Sequence, residues 1–396
     1  MAASLHRAVL VLLAAGAPAL AVAQQGCSGS FLNTQQRFPF NEARAPNAPL
    51  MFGRGAPLEP VTYRVAGDPE AHSLEEYLAR FCTTGFLVLH EDRIVYERYR
   101  QGTGAEDALL SASMSKTILS LLVGVAIEEG KLTLDTTVRQ ALPDFETSAF
   151  ADNTVEDLLR MATGVQLHLA YEAGVPSDNR ATDPAVSPHQ SMRRYLRDKT
   201  ERSPAGKTFH YNGAVTALLG LVLSQRTGVS NTAYLEDRIW SRIGTEGSGF
   251  WIKNLQGEEG VQGHFVARLR DYARLGALVL NRGRAAGGQL VPAAWVDEMV
   301  TLRRDKPQPK GPPFYGLHVW IPQAAGGRSF FWGIGGQNIF VDPVARMVIV
   351  HMGNSRDARF AGDAHLFPLR DAIARKLSSR AKAPPPLDSA SAPGHN

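Results

Sequence analysis

The sequence predicts an α+β fold, an antiparallel sheet flanked by helices with an inserted all-helical lobe. Three observations lead there. Residues 85–102, GFLVLHEDRIVYERYRQG, put β-branched and aromatic residues on both sides of Glu91-Asp92, as a two-strand hairpin does. Toward the other end, YGLHVWIP, RSFFWGIGG and NIFVDPVARMVIVHMG are short, aromatic and β-branched, and the last contains a Pro/Ala/Arg turn. Between these groups the apolar spacing is helical. Short hairpins imply antiparallel pairing. The economical topology therefore joins first and last strands in one sheet and leaves the helical middle, residues 104–310, as a second lobe. A cleft between two lobes is the default place for a site.

Taken in order, residues 1–23 have the layout of a secretory signal: His6 and Arg7, an apolar stretch, then Ala21-Val22-Ala23, with cleavage expected after Ala23. Gly16 and Pro18 break the stretch, which is short for a membrane span, so a periplasmic or secreted chain without an integral span is expected. Residues 24–70, rich in Pro, Asn, Gln and Gly, suit a surface segment, and residues 71–377 the main folded domain. From Ser113 the pattern turns helical, with Ile118, Leu121, Leu122 and Val125 on one face and Gly130 at the close. TVEDLLRMATG, AVTALLGLVLSQRTG and RLRDYARLGALVLNRG continue it, DAHLFPLRDAIARKL closes the domain, and 378–396 has the composition of a disordered tail.

With 396 residues, 44% of them hydrophobic, the chain can build a substantial core. Its formal charge of +4 comes from scattered basic residues, which argues against nucleic acid as a partner. The two cysteines, Cys27 and Cys82, can bridge in an oxidising compartment; the alternative is two separate thiols. His168, His210, His351 and His365 form no metal-ligand spacing, and no cofactor is called for. G-x-S-x-G does not occur.

Chemistry concentrates in SASMSKTILSLLVG, residues 111–124. Ser113 and Lys116, at i and i+3, share a helix face. A serine hydroxyl needs a proton acceptor, and a lysine becomes one when burial makes its neutral amine accessible. At a helix start Ser113 would also have free backbone N–H groups beside it for an oxyanion. The motif alone is weak, since about half an occurrence is expected by chance and Ser379-Arg380-Ala381-Lys382 matches too. Context favours the first: Tyr211 stands before another apolar helix, where its phenol could share a proton with a lysine. Gly333, Gly335 and Gly336 fall in a strand region, where glycine marks a bulge or the close approach of backbone to a ligand.

GFLVLHEDRIVYERY, SMSKTILSLLVG, TVEDLLRMATGV, FHYNGAVTALLGLVL, RDYARLGALVLNRG and GIGGQNIFVDP follow in order a pattern that resembles the serine β-lactamase and penicillin-binding superfamily. The resemblance is to its class C-like branch of DD-peptidases, esterases and 6-aminohexanoate-oligomer hydrolases. It implies a β-lactamase/transpeptidase-like fold, with Ser113 as acylated nucleophile, Lys116 as its activator and Tyr211 as the tyrosine of a Y-x-N/S motif. Backbone N–H groups at Ser113 and near Ile334 would form the oxyanion hole, and Tyr171 is similar to a tyrosine used at the leaving amide. Two departures matter. Gly213 stands at the third Y-x-N/S position, where the neighbouring Asn212 could substitute, and no K-T-G or H-T-G supplies a cation for a substrate carboxylate. The expectation is an exported serine hydrolase acting on a small neutral ester or amide. A lactamase or DD-peptidase would need another anchor such as Arg328. A non-catalytic binding domain is the third alternative, and His365 is a further residue that could face the cleft.

Overall fold

Strands from the two ends of the domain meet in the middle of one sheet. The computed structural model describes residues 27, 31–169, 177–322, 327–355 and 363–380. The main sheet has eight strands in the order Phe314–Tyr315, Trp320–Ile321, Ser329–Gly333, Gln337–Asp342, Met347–Gly353, Thr83–His90, Arg93–Tyr99, Gly53–Arg54. Met347–Gly353 pairs antiparallel with Thr83–His90, with Val350 opposite Leu87, so the predicted joining of N- and C-terminal strands is what forms. The hairpin turns at Glu91 and Asp92, both left-handed (φ 50° and 59°), as the twist of a tight hairpin requires.

Both faces of this sheet are covered, and the two-residue period sorts its side chains. Phe86 and Val88 pack with Tyr77, Leu369 and Ile373 of helices Leu74–Arg80 and Asp363–Arg380. Leu87 and Leu89 join the larger core with Met114, Leu269 and Leu275. Burial on both sides explains why FLVL reads as a continuous apolar run.

The expected lobe at 104–310 is interrupted. Ala108–Leu110, Gly249–Ile252 and Phe265–Arg268 combine with Phe40–Ala43 in a second, four-stranded sheet. Runs as short as FWI and FVA carry no period long enough to separate strand from buried helix. The residues 24–70 accordingly do more than wrap the surface, since Phe40–Ala43 and Gly53–Arg54 enter the two sheets. At the other end the closing helix continues through Arg380, past the boundary expected at 378. The signal-like residues 1–23 and the tail beyond 380 lie outside the described residues. Among the described residues no helix is long and apolar enough to cross a membrane.

At the junction of the lobes runs the helix Ser115–Glu128, buried along nearly its whole length. A helix apolar on every side must be surrounded by protein, and this one anchors whatever projects from its first turn.

Candidate active site

A 3₁₀ turn, Ala112–Met114, feeds the Ser115–Glu128 helix. Ala112 has φ 44°, a left-handed conformation that a residue with a Cβ adopts only where its surroundings hold it. Two neighbouring serines are committed to structure. The Ser111 hydroxyl donates to the Ala112 carbonyl at 2.9 Å. Ser115 donates to the Val261 carbonyl at 2.7 Å and accepts from the Trp251 indole at 2.8 Å. Ser113 instead lines a pocket and accepts a hydrogen bond from Lys116 Nζ at 2.9 Å.

Lys116 is 3% exposed and also donates to the Gln262 carbonyl at 2.5 Å. Burial lowers its pKa to about 7. The helix is pinned behind it by Thr117 Oγ1 on the His318 carbonyl (2.7 Å) and Ser120 Oγ on the Leu317 carbonyl (2.8 Å). Buried His318, which the sequence reading missed, has its pKa pushed down to about 3 by desolvation. It is therefore neutral. Its Nδ1 lies 2.8 Å from the Leu159 carbonyl, which can only accept, so the proton sits on Nδ1 and Nε2 accepts from Thr216 Oγ1 at 3.0 Å.

Tyr211 reaches the same corner. Its ring centroid lies 5.1 Å from Lys116 Nζ, and the ring packs against Tyr315 and Trp320 at 5.9 and 5.4 Å. Asn212 does not stand in for the side chain absent at Gly213. It caps the helix Gly213–Thr227, accepting from Ala214 N at 2.9 Å and donating to the His168 carbonyl at 3.4 Å, as expected of asparagine at a helix start. The vacant volume is taken by Asn179, whose Oδ1 accepts from Gly213 N at 2.6 Å and would lie 2.8 Å from a Cβ at that glycine. Asn179 was missed; the polar run SDNRATD was its only signal in the sequence.

Beside Ser113 the pocket holds about 130 Å³. Phe31, Leu110, Ala112 and Ile334 make an apolar wall, and Asn179, Asp183, Gln262 and His264 a polar one. None of the pocket-lining residues other than Ala112, Ser113, Lys116, Gly213 and Ile334 comes from a motif picked out in the sequence. Asp183 lies 3.2 Å from His264 Nε2. Burial pushes the Asp183 carboxyl up, but His264 and the N–H groups of Ala185 and Val186 outweigh it and hold the pKa below the usual value. Apart from Lys116, no lysine or arginine lines the pocket among the described residues.

The glycine segment packs on protein. A Cβ at Gly333 would lie 2.6 Å from the Ser111 carbonyl and 2.9 Å from Ser113 N, so its absence lets the strand end touch the start of the serine turn. Gly335 (φ 77°) would meet the Phe31 ring at 2.9 Å, and Gly336 (φ 94°) lies against Gly353. Ile334, 37% exposed, lines the pocket between them.

Other expected positions lie elsewhere. Arg328 is paired with Asp342 at 2.8 Å and does not line the pocket, so it is not a carboxylate anchor there. His365 packs with Tyr63, His72 and Phe81 on the other face of the main sheet. Cys27 and Cys82 form a disulfide. Tyr171 lies outside the described residues.

An antiparallel sheet, a helix-rich second lobe and a Ser-x-x-Lys turn opening a buried helix at their junction define a β-lactamase-like hydrolase. Residues 73–368 match the Beta-lactamase family, and the chain belongs to it, within the serine β-lactamase and penicillin-binding superfamily. The 6-aminohexanoate-dimer hydrolase of Paenarthrobacter ureafaciens is 26% identical over 322 residues, 76% of this chain and 80% of that protein. A Bacillus anthracis structure provisionally named a 6-aminohexanoate-dimer hydrolase superposes with TM-score 0.79 at 23% identity, over 88% of this chain and 94% of that one. A family VIII carboxylesterase gives TM-score 0.58 at 17% identity, over 75% and 93%.

Proposed function

We propose that the chain is an exported serine hydrolase cleaving a small neutral ester or linear amide through an acyl-enzyme on Ser113. The carrying observation is the buried Lys116 amine, 2.9 Å from Ser113 Oγ with its pKa brought down to about 7. Neutral Lys116 accepts the hydroxyl proton as Ser113 Oγ attacks the carbonyl carbon. The resulting oxyanion is held by the Ser113 N–H and a backbone N–H near Ile334. Tyr211, its ring beside Lys116, relays the proton to the leaving alkoxide or amine. Water, deprotonated by the same pair, then attacks the acyl carbon, the C–Oγ bond breaks and the proton passes back to Ser113 Oγ as the carboxylic acid product leaves. The Cys27–Cys82 disulfide supports an oxidising compartment, and with it export by residues 1–23.

Substrate charge follows from the walls. Lactams and peptidoglycan peptides present a carboxylate, which here would face Asp183 with no lysine or arginine other than Lys116 lining the pocket among the described residues. That favours uncharged esters and amides, in line with the named activity of the carboxylesterase relative. The test is a panel of p-nitrophenyl esters, 6-aminohexanoate dimer and nitrocefin, run on the mature chain and on Ser113→Ala. Ester turnover, lost together with fluorophosphonate labelling in Ser113→Ala, is expected, and turnover of the charged dimer without any of the esters would overturn the neutral-substrate reading. Rapid nitrocefin turnover would favour a lactamase, and no turnover of any substrate a binding domain.

A further inference from the structure

We propose that Phe31 sets the acyl-chain specificity of the Ser113 pocket and that the Cys27–Cys82 disulfide holds it in place, an inference that rests on Ser113 being the nucleophile. Phe31 lies more than eighty positions before Ser113 in the sequence, yet both line one pocket. Its position is built from two sides. On one, Leu110 N donates to the Phe31 carbonyl and Asn33 N to the Ala108 carbonyl, both at 2.8 Å, with Leu32 bridged to Leu109. The Asn33 side chain fastens this edge further, bonding Asp107 and Ala108 N at 2.9 Å.

On the other side, the Phe31 ring lies where only a glycine fits, against Gly335. Gly335 in turn accepts from Ser355 N at 3.2 Å, and Ser355 bridges to Cys27. The disulfide partner Cys82 accepts from Asn354 N at 3.0 Å, next to the strand Thr83–His90 in the middle of the main sheet. The covalent link thus ties the segment that carries Phe31 to the most buried part of the fold. Without it, the edge contacts alone would have to offset the entropy of a segment reaching back to the N-terminus.

The consequence is a substrate class. With Leu110, Ala112 and Ile334, Phe31 makes the pocket's apolar wall, and about 130 Å³ is well below the roughly 300–1,000 Å³ of pockets that bury drug-sized ligands. Such a space takes a short aliphatic acyl group, and Phe31 is what stops a longer one.

The experiment compares kcat/KM for p-nitrophenyl acetate, butyrate, hexanoate and octanoate in the oxidised full-length mature chain and four variants. Phe31→Ala should raise the octanoate-to-acetate ratio by about tenfold or more, the size of effect a methylene-scale change of pocket produces. Phe31→Trp should lower the ratio, and it decides the matter alone if the alanine variant does not fold. The Cys27→Ser/Cys82→Ser chain should raise the ratio severalfold. Fluorophosphonate labelling should persist in all of these and vanish in Ser113→Ala. An unchanged ratio in both Phe31 variants, with Ser113 still labelled, overturns the assignment of Phe31. An unchanged ratio in the double-serine chain overturns the anchoring role. Hydrolysis or labelling that survives in Ser113→Ala overturns instead the nucleophile on which the inference stands.

Discussion

Among the described residues Lys116, Lys131 and Lys199 lie over tyrosine rings, and a comparison of Lys116 with Lys199 shows what gives a lysine the surroundings of a base. Lys199 Nζ is 4.5 Å from the Tyr195 ring centroid and Lys116 Nζ 5.1 Å from that of Tyr211. Lys199 also meets Asp178 Oδ1 at 2.5 Å and the Tyr195 hydroxyl at 3.1 Å. Burial alone would lower its pKa, but those bonds outweigh burial and raise it, so the ammonium persists. Lys116 also lies over an aromatic ring, but among the described residues it donates to neutral oxygens, Ser113 Oγ and the Gln262 carbonyl. Nothing there counters desolvation, and its pKa falls to about 7. The contrast shows that the missing carboxylate, more than the nearby tyrosine, turns a lysine into a proton acceptor.

The largest effect should separate the two residues outright. Lys116→Ala should reduce kcat/KM for an ester substrate by about 10³-fold, within the usual range for loss of a general base. Lys199→Ala should leave it within about threefold, because its ammonium serves a structural pair. Equal losses in steady-state assays would erase the distinction. A second, smaller effect is the pH profile. The neutral amine is the active form, so kcat/KM should be flat above the Lys116 pKa of about 7 and fall tenfold per unit below it. A profile still rising steadily to pH 10 would mean that burial does not lower the amine as argued.

The fold was legible in the sequence wherever a pattern ran long enough. The hairpin around Glu91-Asp92, the buried helix after Ser113 and the closing helix each run for seven residues or more between clear turn or cap signals. The four-stranded sheet escaped because its strands are three or four residues long and come from distant parts of the chain. Within the site, the Ser113–Lys116 spacing was visible because it is local. Asn179 and Phe31 were not, because what places them is a glycine on a distant element: Gly213 leaves room for the first and Gly335 for the second. A residue whose role is to fill a distant vacancy leaves no mark on its own neighbourhood.

Asn179 gives a finer test of the two-lysine contrast. Asn179→Asp keeps the shape of the side chain and adds to the Lys116 pocket the kind of charge that Lys199 has in Asp178. The midpoint of the kcat/KM profile should move up by on the order of one unit, since an opposite charge nearby favours the ammonium. At pH 6 that is a further loss of about tenfold, with the plateau at high pH reached later. A midpoint that stays in place would show that the pocket wall is too well screened for charge to reach Lys116.

The smallest effect concerns stability on the Lys199 side. Asp178 is 1% exposed and accepts from Lys199, from the His168 N–H at 2.5 Å and from the Tyr195 hydroxyl at 2.8 Å. Burial pushes its carboxyl up, but these bonds together hold the pKa below the usual carboxylate value. A carboxyl whose folded pKa is depressed adds stability that is fully present above its unfolded pKa and is lost as pH falls through the folded one. Thermal melts of the parent chain should therefore drop below about pH 4, where Asp178→Asn, already destabilised at neutral pH by about 1–3 kcal/mol, should drop less. Because Asp178 acts on stability and Lys116 on turnover, the activity midpoint near 7 should be the same in both chains. A shifted midpoint in Asp178→Asn would mean that the two lysine–tyrosine corners are electrostatically one site, and the contrast between them would fail.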